Sequence, residues 1–312
     1  MRIGLLLSGQ GAQKAGMGRD LFDSNADYRA VVERASELMG CDFQKDILED
    51  DAKLAQTQYA QVAIYTMSMG IYAALDDAIK EQVVGTLGLS LGEYTALTIA
   101  GSLTFDQAFN ILKDRGRFMQ AASEEVSSKM IVVLSEQQAE ILKLMQQAQS
   151  EGATLYPANF NTPKQLVIAG LGSDIDSFTN TLTAKDIRVV PLAVSGAFHT
   201  PFMASAGTKL VERLATESFG ALTMPVYSNT TGRVFEDIQA TLNEQIVKPT
   251  HFSDAMLAMA DAGLDATIEL GPDKTLTKFA KQMLDKDVAR YSINDLASLE
   301  SVTLKLAEGE EI

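Results

Sequence analysis

The order of predicted strands and helices between residues 129 and 192 constrains the fold more than any other feature of this sequence. Hydrophobic periodicity there predicts strand, helix, strand, strand, helix, strand. In chain order these elements are Met130–Leu134, Glu136–Gln149, Thr154–Ala158, Gln165–Ala169, Ser173–Thr183 and Arg188–Leu192. This βαββαβ order is that of the split βαβ, ferredoxin-like motif, which closes a small sheet of its own. We therefore expect a small subdomain over residues 128–194, inserted into a larger domain of residues 1–127 and 195–312.

Short apolar segments outside this insert predict the sheet of the larger domain. Ile3–Leu7 and Val83–Leu87 are short, apolar and followed by glycine, which is typical of strands buried on both faces of a parallel sheet. Amphipathic helical stretches fill the segment between them. Asp265–Pro272 supplies another short strand that ends in a Gly-Pro turn. The fold class expected is α/β, a three-layer core with a short, mostly parallel sheet, with a cleft between core and insert.

Composition limits the partners and the location of the chain. Its 312 residues carry 26 Lys and Arg against 41 Asp and Glu, a net charge of −15 that should repel nucleic acid and anionic membranes. The single cysteine, Cys41, excludes an internal disulfide and a multi-thiolate metal site, so a reducing, cytoplasmic location is expected. No apolar run approaches the roughly 18 residues of a membrane-spanning helix, and the first residues are typical of a buried strand, not of a signal peptide.

A GxSxG pattern provides a candidate nucleophile. Gly88-Leu89-Ser90-Leu91-Gly92 follows the predicted strand Val83–Leu87 and precedes a segment that can begin a helix. A serine at such a strand-turn-helix junction lies at a helix N-terminus, where backbone N–H groups favour a developing oxyanion. The pattern alone arises by chance in about one chain in ten of this length, so an ordinary Gly-rich turn is the alternative.

A serine nucleophile requires a base, and the chain has only two histidines. His199 follows an apolar run and precedes Thr200-Pro201, where Thr can cap a helix and Pro suits its first position. A histidine beside a helix N-terminus tends to stay neutral, as a general base must. A surface or capping role is the alternative for His199, and we expect His251 to be structural.

One arginine lies on the apolar side of a predicted helix. The apolar face is formed by Phe105, Ala108, Phe109, Leu112, Gly116 and Met119. Arg115 falls on the edge of this face, whereas Lys113, Asp114 and Arg117 project away from it. An inward guanidinium favours a carboxylate, which either the protein or a substrate can supply. On helix spacing alone, an ion pair with an Asp or Glu of the protein is the commoner outcome for an inward arginine.

The segment Ser8–Gly18 is a glycine-rich loop after the first strand. It lacks both the GxGxxG spacing and the GK[ST] ending of phosphate-binding loops, so nucleotide binding is not expected. A loop of free backbone N–H groups beside the candidate serine is the favoured interpretation, and a plain tight connection is the alternative.

Together these segments resemble the malonyl-CoA:acyl carrier protein transacylase family of fatty acid synthesis, over nearly the whole chain. The matching motifs are Gly9-Gln10-Gly11-Ala12-Gln13, Gly88-Leu89-Ser90-Leu91-Gly92-Glu93-Tyr94, Arg115-Gly116-Arg117-Phe118-Met119-Gln120, Asn159-Phe160-Asn161-Thr162-Pro163, Gly196-Ala197-Phe198-His199 and Glu269-Leu270-Gly271-Pro272. The resemblance implies a hydrolase-like core with a ferredoxin-like insert, and an active serine in the gorge between them.

The resemblance also implies roles for individual residues. Ser90 would be the acylated nucleophile and His199 its base. Arg115 would bind the free carboxylate of malonyl, so the resemblance favours the substrate over a protein carboxylate as the partner of Arg115. The backbone N–H groups of Gln10 and Leu91 would form the oxyanion hole. A further residue, Gln245, would orient the histidine through its carbonyl group, so that no catalytic Asp is needed. Phe198, before the histidine, is similar to the malonyl-selective signature of the family.

Three positions depart from the family pattern. Leu89 stands where many relatives carry histidine, Ser8 where they carry proline, and Tyr59 where proline is usual. None of these changes removes a catalytic group. Leu89 precedes the nucleophile, so we expect it to affect access to the serine and selectivity for the acyl group.

The implied function is malonyl transfer from malonyl-CoA to the phosphopantetheine thiol of acyl carrier protein, by a ping-pong reaction through a malonyl-serine. No metal or cofactor is expected, and a monomer is the expected state. Acyl carrier proteins are typically acidic, so a local basic patch near the cleft is expected, with Lys164, Lys185 and Arg188 as candidates.

Two other functions are compatible with parts of the sequence. A serine hydrolase such as a thioesterase would use the same Ser90 and His199 with water as acceptor. Arg115 and the lack of a lipase-like HGGG loop argue against it. A non-catalytic module that docks a carrier protein would form no acyl-serine and would tolerate loss of the Ser90 hydroxyl.

Overall fold

A computed structural model describes residues 1–194 and 196–308. Its larger sheet has six strands in the order β10-β9-β1-β2-β7-β8, all parallel except β8, which is antiparallel to β7. The smaller sheet has four strands in the order β4-β5-β3-β6. The strands are β1 Ile3–Leu7, β2 Val83–Gly88, β3 Ser128–Leu134, β4 Leu155–Thr162, β5 Gln165–Leu171, β6 Arg188–Pro191, β7 Val226–Ser228, β8 Arg233–Val234, β9 Ala266–Leu270 and β10 Ala289–Ile293.

Helices surround both sheets. The α-helices are α1 Arg19–Ser24, α2 Ala26–Met39, α3 Asp51–Leu54, α4 Thr57–Ala74, α5 Asp77–Lys80, α6 Gly92–Ile99, α7 Phe105–Glu125, α8 Gln138–Ser150, α9 Gly172–Thr183, α10 Ala204–Leu214, α11 Ile238–Gln245, α12 Phe252–Ala260, α13 Thr275–Met283 and α14 Leu296–Glu308. A π-helical turn spans Gln44–Leu48 and a 3₁₀ turn spans Pro201–Met203. Among residues 1–194 and 196–308, we find no helical segment with the length and apolarity needed to cross a bilayer.

The larger sheet is the middle of three layers, with helices on both of its faces, and the burial of its central strand β1 reflects this arrangement. All five of its residues are buried, and alternate side chains enter different cores. Leu5 and Leu7 pack in a cluster with residues of α4, α6 and α7, whereas Leu6 packs in a second cluster with residues of α12 and α13. The predicted α/β class, with helices on both faces of a mostly parallel sheet, is confirmed.

The smaller sheet is the predicted βαββαβ unit. Strands β3 and β5 are antiparallel neighbours in the middle, β4 and β6 flank them, and α8 and α9 share a separate apolar core with the sheet. The predicted boundaries differ most at β4, which continues beyond Ala158 to Thr162. Asn159 and Asn161 have low strand propensity. Asn159 nevertheless pairs with Val167 of β5, and Asn161 lies at a register shift between Phe160 and Thr162, which both pair with β5.

Hydrogen bonds join the smaller sheet to the rest of the chain. The N–H of Phe160 donates to the carbonyl of Thr250 at 2.7 Å, and the N–H of Thr250 donates to the carbonyl of Ala158 at 2.9 Å. One face of the smaller sheet has an apolar core of its own, whereas Met130 and Val167 on its other face belong to the same cluster as Leu5 and Leu7 of the larger sheet. The division into domains at residues 128 and 194 stays a prediction. Residue 195, at one predicted boundary, and residues 309–312 lie outside the described residues.

Candidate active site

Ser90 lies in the sharp turn between β2 and α6. Its φ is +54°, in the left-handed region that non-glycine residues rarely adopt and that occurs mainly where the surroundings enforce it. The flanking glycines, Gly88 and Gly92, are required because there is no room for a side chain at either position. A Cβ on Gly88 would lie 1.9 Å from the carbonyl carbon of Gly92, and one on Gly92 would lie 2.2 Å from the carbonyl oxygen of Leu7. The predicted strand-turn-helix setting of the serine is therefore present.

His199 and Ser90 are in direct contact. The Nε2 of His199 is 2.9 Å from the Oγ of Ser90, and its Nδ1 is 2.9 Å from the carbonyl oxygen of Gln245. That carbonyl belongs to the last residue of α11, where the helix supplies no N–H partner. Because the Gln245 carbonyl can only accept, the arrangement assigns the proton to Nδ1 and leaves Nε2 as an acceptor.

The environment of His199 favours its neutral form. The side chain is buried, and burial, followed by the nearby charge of Arg115, lowers the pKa of His199 to about 4. The next residue, Thr200, accepts a hydrogen bond from the N–H of Phe202 at the start of the 3₁₀ turn, with Pro201 at the first position. The predicted cap is thus present. His199 itself has a φ of +61°, in the left-handed region that non-glycine residues rarely adopt.

Arg115 is fully buried on α7 and points at the serine. Its Nη2 donates to the Oγ of Ser90 at 3.0 Å and to the Oε1 of Gln245 at 2.8 Å, and its Nη1 donates to the Oε1 of Gln61 at 2.6 Å. Its Nε has no acceptor among the described residues. The protein carboxylate favoured by the spacing is absent, since no Asp or Glu of the described residues forms an ion pair with Arg115. A buried cation without a paired anion is costly, so this guanidinium is poised to receive one.

Gln10 and Leu91 are the residues predicted to present backbone N–H groups beside Ser90. Leu91 precedes the first residue of α6, and Gln10 lies in the loop after β1. That loop approaches closely, because a Cβ on Gly9 would lie 2.7 Å from the carbonyl oxygen of Leu89. Within the described part of the chain, neither N–H donates a hydrogen bond to a protein acceptor. Two free donors therefore accompany the serine.

These groups lie at a cleft of about 270 Å³ between the two sheets. Ser90, Gln10 and His199 line it from the larger part, and the smaller sheet contributes apolar side chains such as Met130 and Val167. The expected cleft is present. Among residues 1–194 and 196–308, no cluster of His, Cys, Asp and Glu has the arrangement of a metal site.

Comparison with known proteins assigns the chain to a family. The model of the acyl transferase domain matches residues 5–302. The chain belongs to the acyl transferase family. As a member it is an acyltransferase.

Individual relatives of this acyltransferase have a narrower description. The malonyl CoA-acyl carrier protein transacylase of Staphylococcus aureus (strain MSSA476) is 31% identical over 302 residues, covering 95% of this chain and 96% of the relative. The crystal structure of the same kind of protein from Clostridium perfringens superposes with a TM-score of 0.93 at 33% identity, covering 99% of this chain and 98% of that one. A malonyl-transacylase in complex with a type II PKS acyl-carrier protein superposes with a TM-score of 0.90 at 27% identity, covering 99% and 100%. The family resemblance inferred from six motifs is confirmed.

The remaining candidate residues of the acyltransferase lie outside the Ser90 contacts. His251 stacks on the ring of Phe160 at 5.0 Å and is 3.4 Å from the carboxylate of Asp254, so it takes the structural position expected of it. Leu89 lines the cleft. Ser8 also lines it and donates to the carboxylate of Glu269 at 3.2 Å.

Three polar residues of the site were not among the residues predicted from the sequence. Gln61 lies within α4, where a polar residue among apolar ones is a weak indication of a buried contact. Asn229 and Glu93 lie in segments whose polar side chains could equally face solvent. Their partners are distant in sequence, so periodicity could not reveal them. Gln245 was expected for its carbonyl alone, and its side-chain contact with Arg115 was not anticipated.

Proposed function

We propose that this acyltransferase moves malonyl from malonyl-CoA to the phosphopantetheine thiol of acyl carrier protein, through a malonyl-serine on Ser90, in fatty acid biosynthesis. The observation that carries the proposal is the position of Arg115. Its guanidinium is buried, lacks a protein carboxylate among the described residues, and lies 3.0 Å from the Oγ of Ser90. An acyl group that bears its own carboxylate, close to the thioester carbon, fits such a cation.

In the first half-reaction, the Nε2 of His199 takes the proton of the Ser90 hydroxyl as Oγ attacks the thioester carbonyl. The contact of 2.9 Å between Nε2 and Oγ supports this step. The carbonyl oxygen becomes an oxyanion, which the N–H groups of Gln10 and Leu91 would stabilise. The tetrahedral intermediate collapses, the carbon-sulfur bond breaks, and CoA leaves as its thiol with the proton from His199.

The second half-reaction repeats these steps with a different thiol. His199 takes the proton of the phosphopantetheine thiol, and the sulfur attacks the malonyl-serine ester. Collapse of the intermediate breaks the bond to the Oγ of Ser90, which recovers its proton from His199. The low pKa of His199, about 4, supports its service as a base in both halves at neutral pH. The chain's own residues supply each proton transfer, so the reaction as proposed uses no metal or cofactor.

Acyl carrier protein is proposed as the acceptor, and its acidic character calls for basic residues near the cleft. Lys164 precedes Gln165, which lines the cleft, and forms an ion pair with Glu136. Lys185 and Arg188 are exposed at the same end of the smaller sheet, and neither forms an ion pair within the described residues. The docking patch, a cytoplasmic location and a monomeric state remain predictions.

The decisive experiment compares transfer with hydrolysis. The protein is incubated with malonyl-CoA alone, with added holo acyl carrier protein, and with the apo carrier, which lacks the phosphopantetheine thiol, as the matched control. We expect malonyl-carrier to accumulate with the holo form alone, with one CoA thiol released per malonyl transferred. Steady release of free malonate and CoA, without malonyl-carrier, would instead favour the hydrolase. No turnover and no acyl-enzyme would favour a docking module.

A further inference from the structure

Glu93 is a buried carboxylate to which the reaction as proposed assigns no role. It lies three residues after Ser90, in the first turn of α6, and its side chain is fully buried. Buried carboxylates are rare unless they are paired with a cation or are strongly hydrogen-bonded. Within the described residues Glu93 forms no ion pair, so its hydrogen bonds must account for its position.

The two oxygens of Glu93 accept hydrogen bonds from two different segments. Oε1 accepts from the backbone N–H of Asn229 at 2.6 Å, after strand β7. Oε2 accepts from the Nε2 of Gln245, at the end of α11. A single carboxylate therefore fixes two residues that are 136 and 152 positions away from it in sequence.

These two residues hold the nucleophile from both sides of its backbone. The Oδ1 of Asn229 accepts from the N–H of Ser90 at 3.3 Å, and the Nε2 of Gln245 donates to the carbonyl oxygen of Ser90 at 3.0 Å. The Nδ2 of Asn229 also donates to the carbonyl of Gly88 at 3.1 Å. Since Ser90 has a φ of +54°, these bonds supply the external constraint that a left-handed non-glycine residue needs.

Glu93 also determines which end of the Gln245 amide faces Arg115. An ionised carboxylate only accepts hydrogen bonds, so the amide must present its NH₂ group to Glu93. Its Oε1 is then directed at the guanidinium, where it accepts from Nη2 at 2.8 Å. If the amide were reversed, its NH₂ group would face the N–H groups of Arg115 and could not accept hydrogen bonds from them.

We propose that Glu93 is a positioning residue of the acyltransferase: its negative charge orients the two amide-bearing residues, which in turn hold the nucleophile and the cation that binds the acyl carboxylate. The inference rests on the proposed malonyl transfer. It predicts that loss of the charge at Glu93 impairs carboxylate-bearing acyl groups more than uncharged ones, because the orientation of Arg115 is needed only by the former.

The charge at Glu93 is expected to change near neutral pH. Burial is the main cause that raises the pKa of Glu93 to about 7, and the hydrogen bonds from Gln245, Ser228 and Asn229 partly oppose it. The titratable groups around it are Arg115, His199 and Tyr94. Burial lowers the pKa of Arg115 and of His199, the latter to about 4, and raises that of Tyr94 to about 12. Among these four groups, Glu93 is the one expected to change its charge near pH 7. Burial also raises the pKa of Glu269, which lines the cleft, so this residue is tested separately.

The test measures rates of acyl-serine formation from malonyl-CoA and from acetyl-CoA, by rapid quenching and intact mass, between pH 5.5 and 8.5. The variants are E93Q, which removes the charge and leaves one of the two donors without an acceptor, and E93D, which keeps the charge. E269Q is the matched control. Glu269 is also buried, but its oxygens accept from Ser8, Leu276 and Thr277, not from Gln245.

In the wild type, the ratio of malonyl to acetyl rates should rise with pH through about 7. In E93Q the ratio at pH 8 should be about tenfold lower than in the wild type, as expected when a buried N–H donor loses its acceptor. The ratio in E93Q should also be independent of pH, because the variant has no carboxylate at this position. E93D should retain the pH dependence, and E269Q should retain both the ratio and its pH dependence. A flat ratio in the wild type would overturn the inference even if E93Q failed to fold, as would an unchanged ratio in a folded E93Q. No malonyl-serine in the wild type would refute the proposed function instead.

Discussion

The Nη2 of Arg115 lies 3.0 Å from the Oγ of Ser90, the same atom that the Nε2 of His199 approaches to 2.9 Å. A cation and a neutral base thus meet at one hydroxyl. In the proposed reaction the base would prepare this oxygen for attack, and the cation would bind the carboxylate at the far end of a malonyl group. Selection of the acyl group and activation of the serine would then depend on the same hydroxyl.

The variant R115A should lose malonyl transfer selectively. Removal of the guanidinium leaves the malonyl carboxylate without a cation, so the rate of malonyl-serine formation should fall at least about a hundredfold. Acetyl transfer does not need the cation and should be spared or improved. R117A is the matched control, because Arg117 is exposed two residues along the same helix and pairs with Asp114. Equal losses for both acyl groups would mean that Arg115 is structural.

The two histidines of the chain should differ sharply in their contribution to the rate. H199A removes the base that contacts Ser90 and should slow acylation about a thousandfold. H251A should leave the rate of acylation within about twofold of the wild type, because this ring stacks on Phe160 and not on the nucleophile. Pre-steady-state release of CoA measures both effects. Comparable losses in the two variants would contradict the role of His199.

The low pKa of His199 has a consequence for stability. In the unfolded chain the pKa is 6.5 and in the folded protein about 4, so between these values the unfolded chain binds the additional proton. The contribution of neutral His199 to the free energy of unfolding is present above pH 6.5 and is lost as the pH falls towards 4. Between pH 7 and 4.5 the wild type should lose about 2 to 3 kcal/mol more than H199Q.

Urea unfolding of both proteins at the two pH values measures this difference. Glu93 titrates in both proteins, so its contribution largely cancels in the comparison. Parallel pH dependences of the wild type and H199Q would show that His199 is not held neutral by its burial.

The glycine after the nucleophile should be required for folding of the turn. In G92A the new methyl group would lie 2.2 Å from the backbone oxygen of Leu7, which cannot move without disturbing β1. We expect a loss of about 3 kcal/mol or more in the free energy of unfolding, from thermal or urea denaturation. G172A is the control, since the nearest atom to its Cβ would be at 3.6 Å, and it should change stability by less than about 1 kcal/mol. Similar stabilities for the two variants would contradict this account of the turn.

Much of the fold could be predicted because its signals are local. The turn around Ser90, the strand Ile3–Leu7 and the βαββαβ insert all have a periodicity or a glycine pattern that can be recognised within a few residues. The extension of β4 to Thr162 could not be predicted, because Asn159 and Asn161 have low strand propensity. Contacts that are distant in sequence continue the strand there, since β5 pairs with Asn159, Phe160 and Thr162, and Thr250 bonds to Asn159 and Phe160.

The site was predictable only in part, for the same physical reason. Ser90, His199 and Arg115 belong to types whose chemistry is recognisable at a single position. On spacing alone an ion pair was favoured for Arg115, and no such pair forms among the described residues. Helix spacing shows that a side chain points inward but not what it meets, and the role of Arg115 in binding a substrate carboxylate stays a prediction. Glu93 and Asn229 act through hydrogen bonds between residues more than a hundred positions apart, which no local pattern contains.

A malonyl ester on Ser90 is detected by intact mass after brief incubation with malonyl-CoA. The comparison uses the wild type and S90A, followed by peptide mapping of any adduct. We expect one malonyl group to be added to the wild type and to map to Ser90, none to be added to S90A, and holo acyl carrier protein to remove the adduct. A wild type that gains no mass, or an adduct that persists in S90A, would show that Ser90 does not carry the malonyl group.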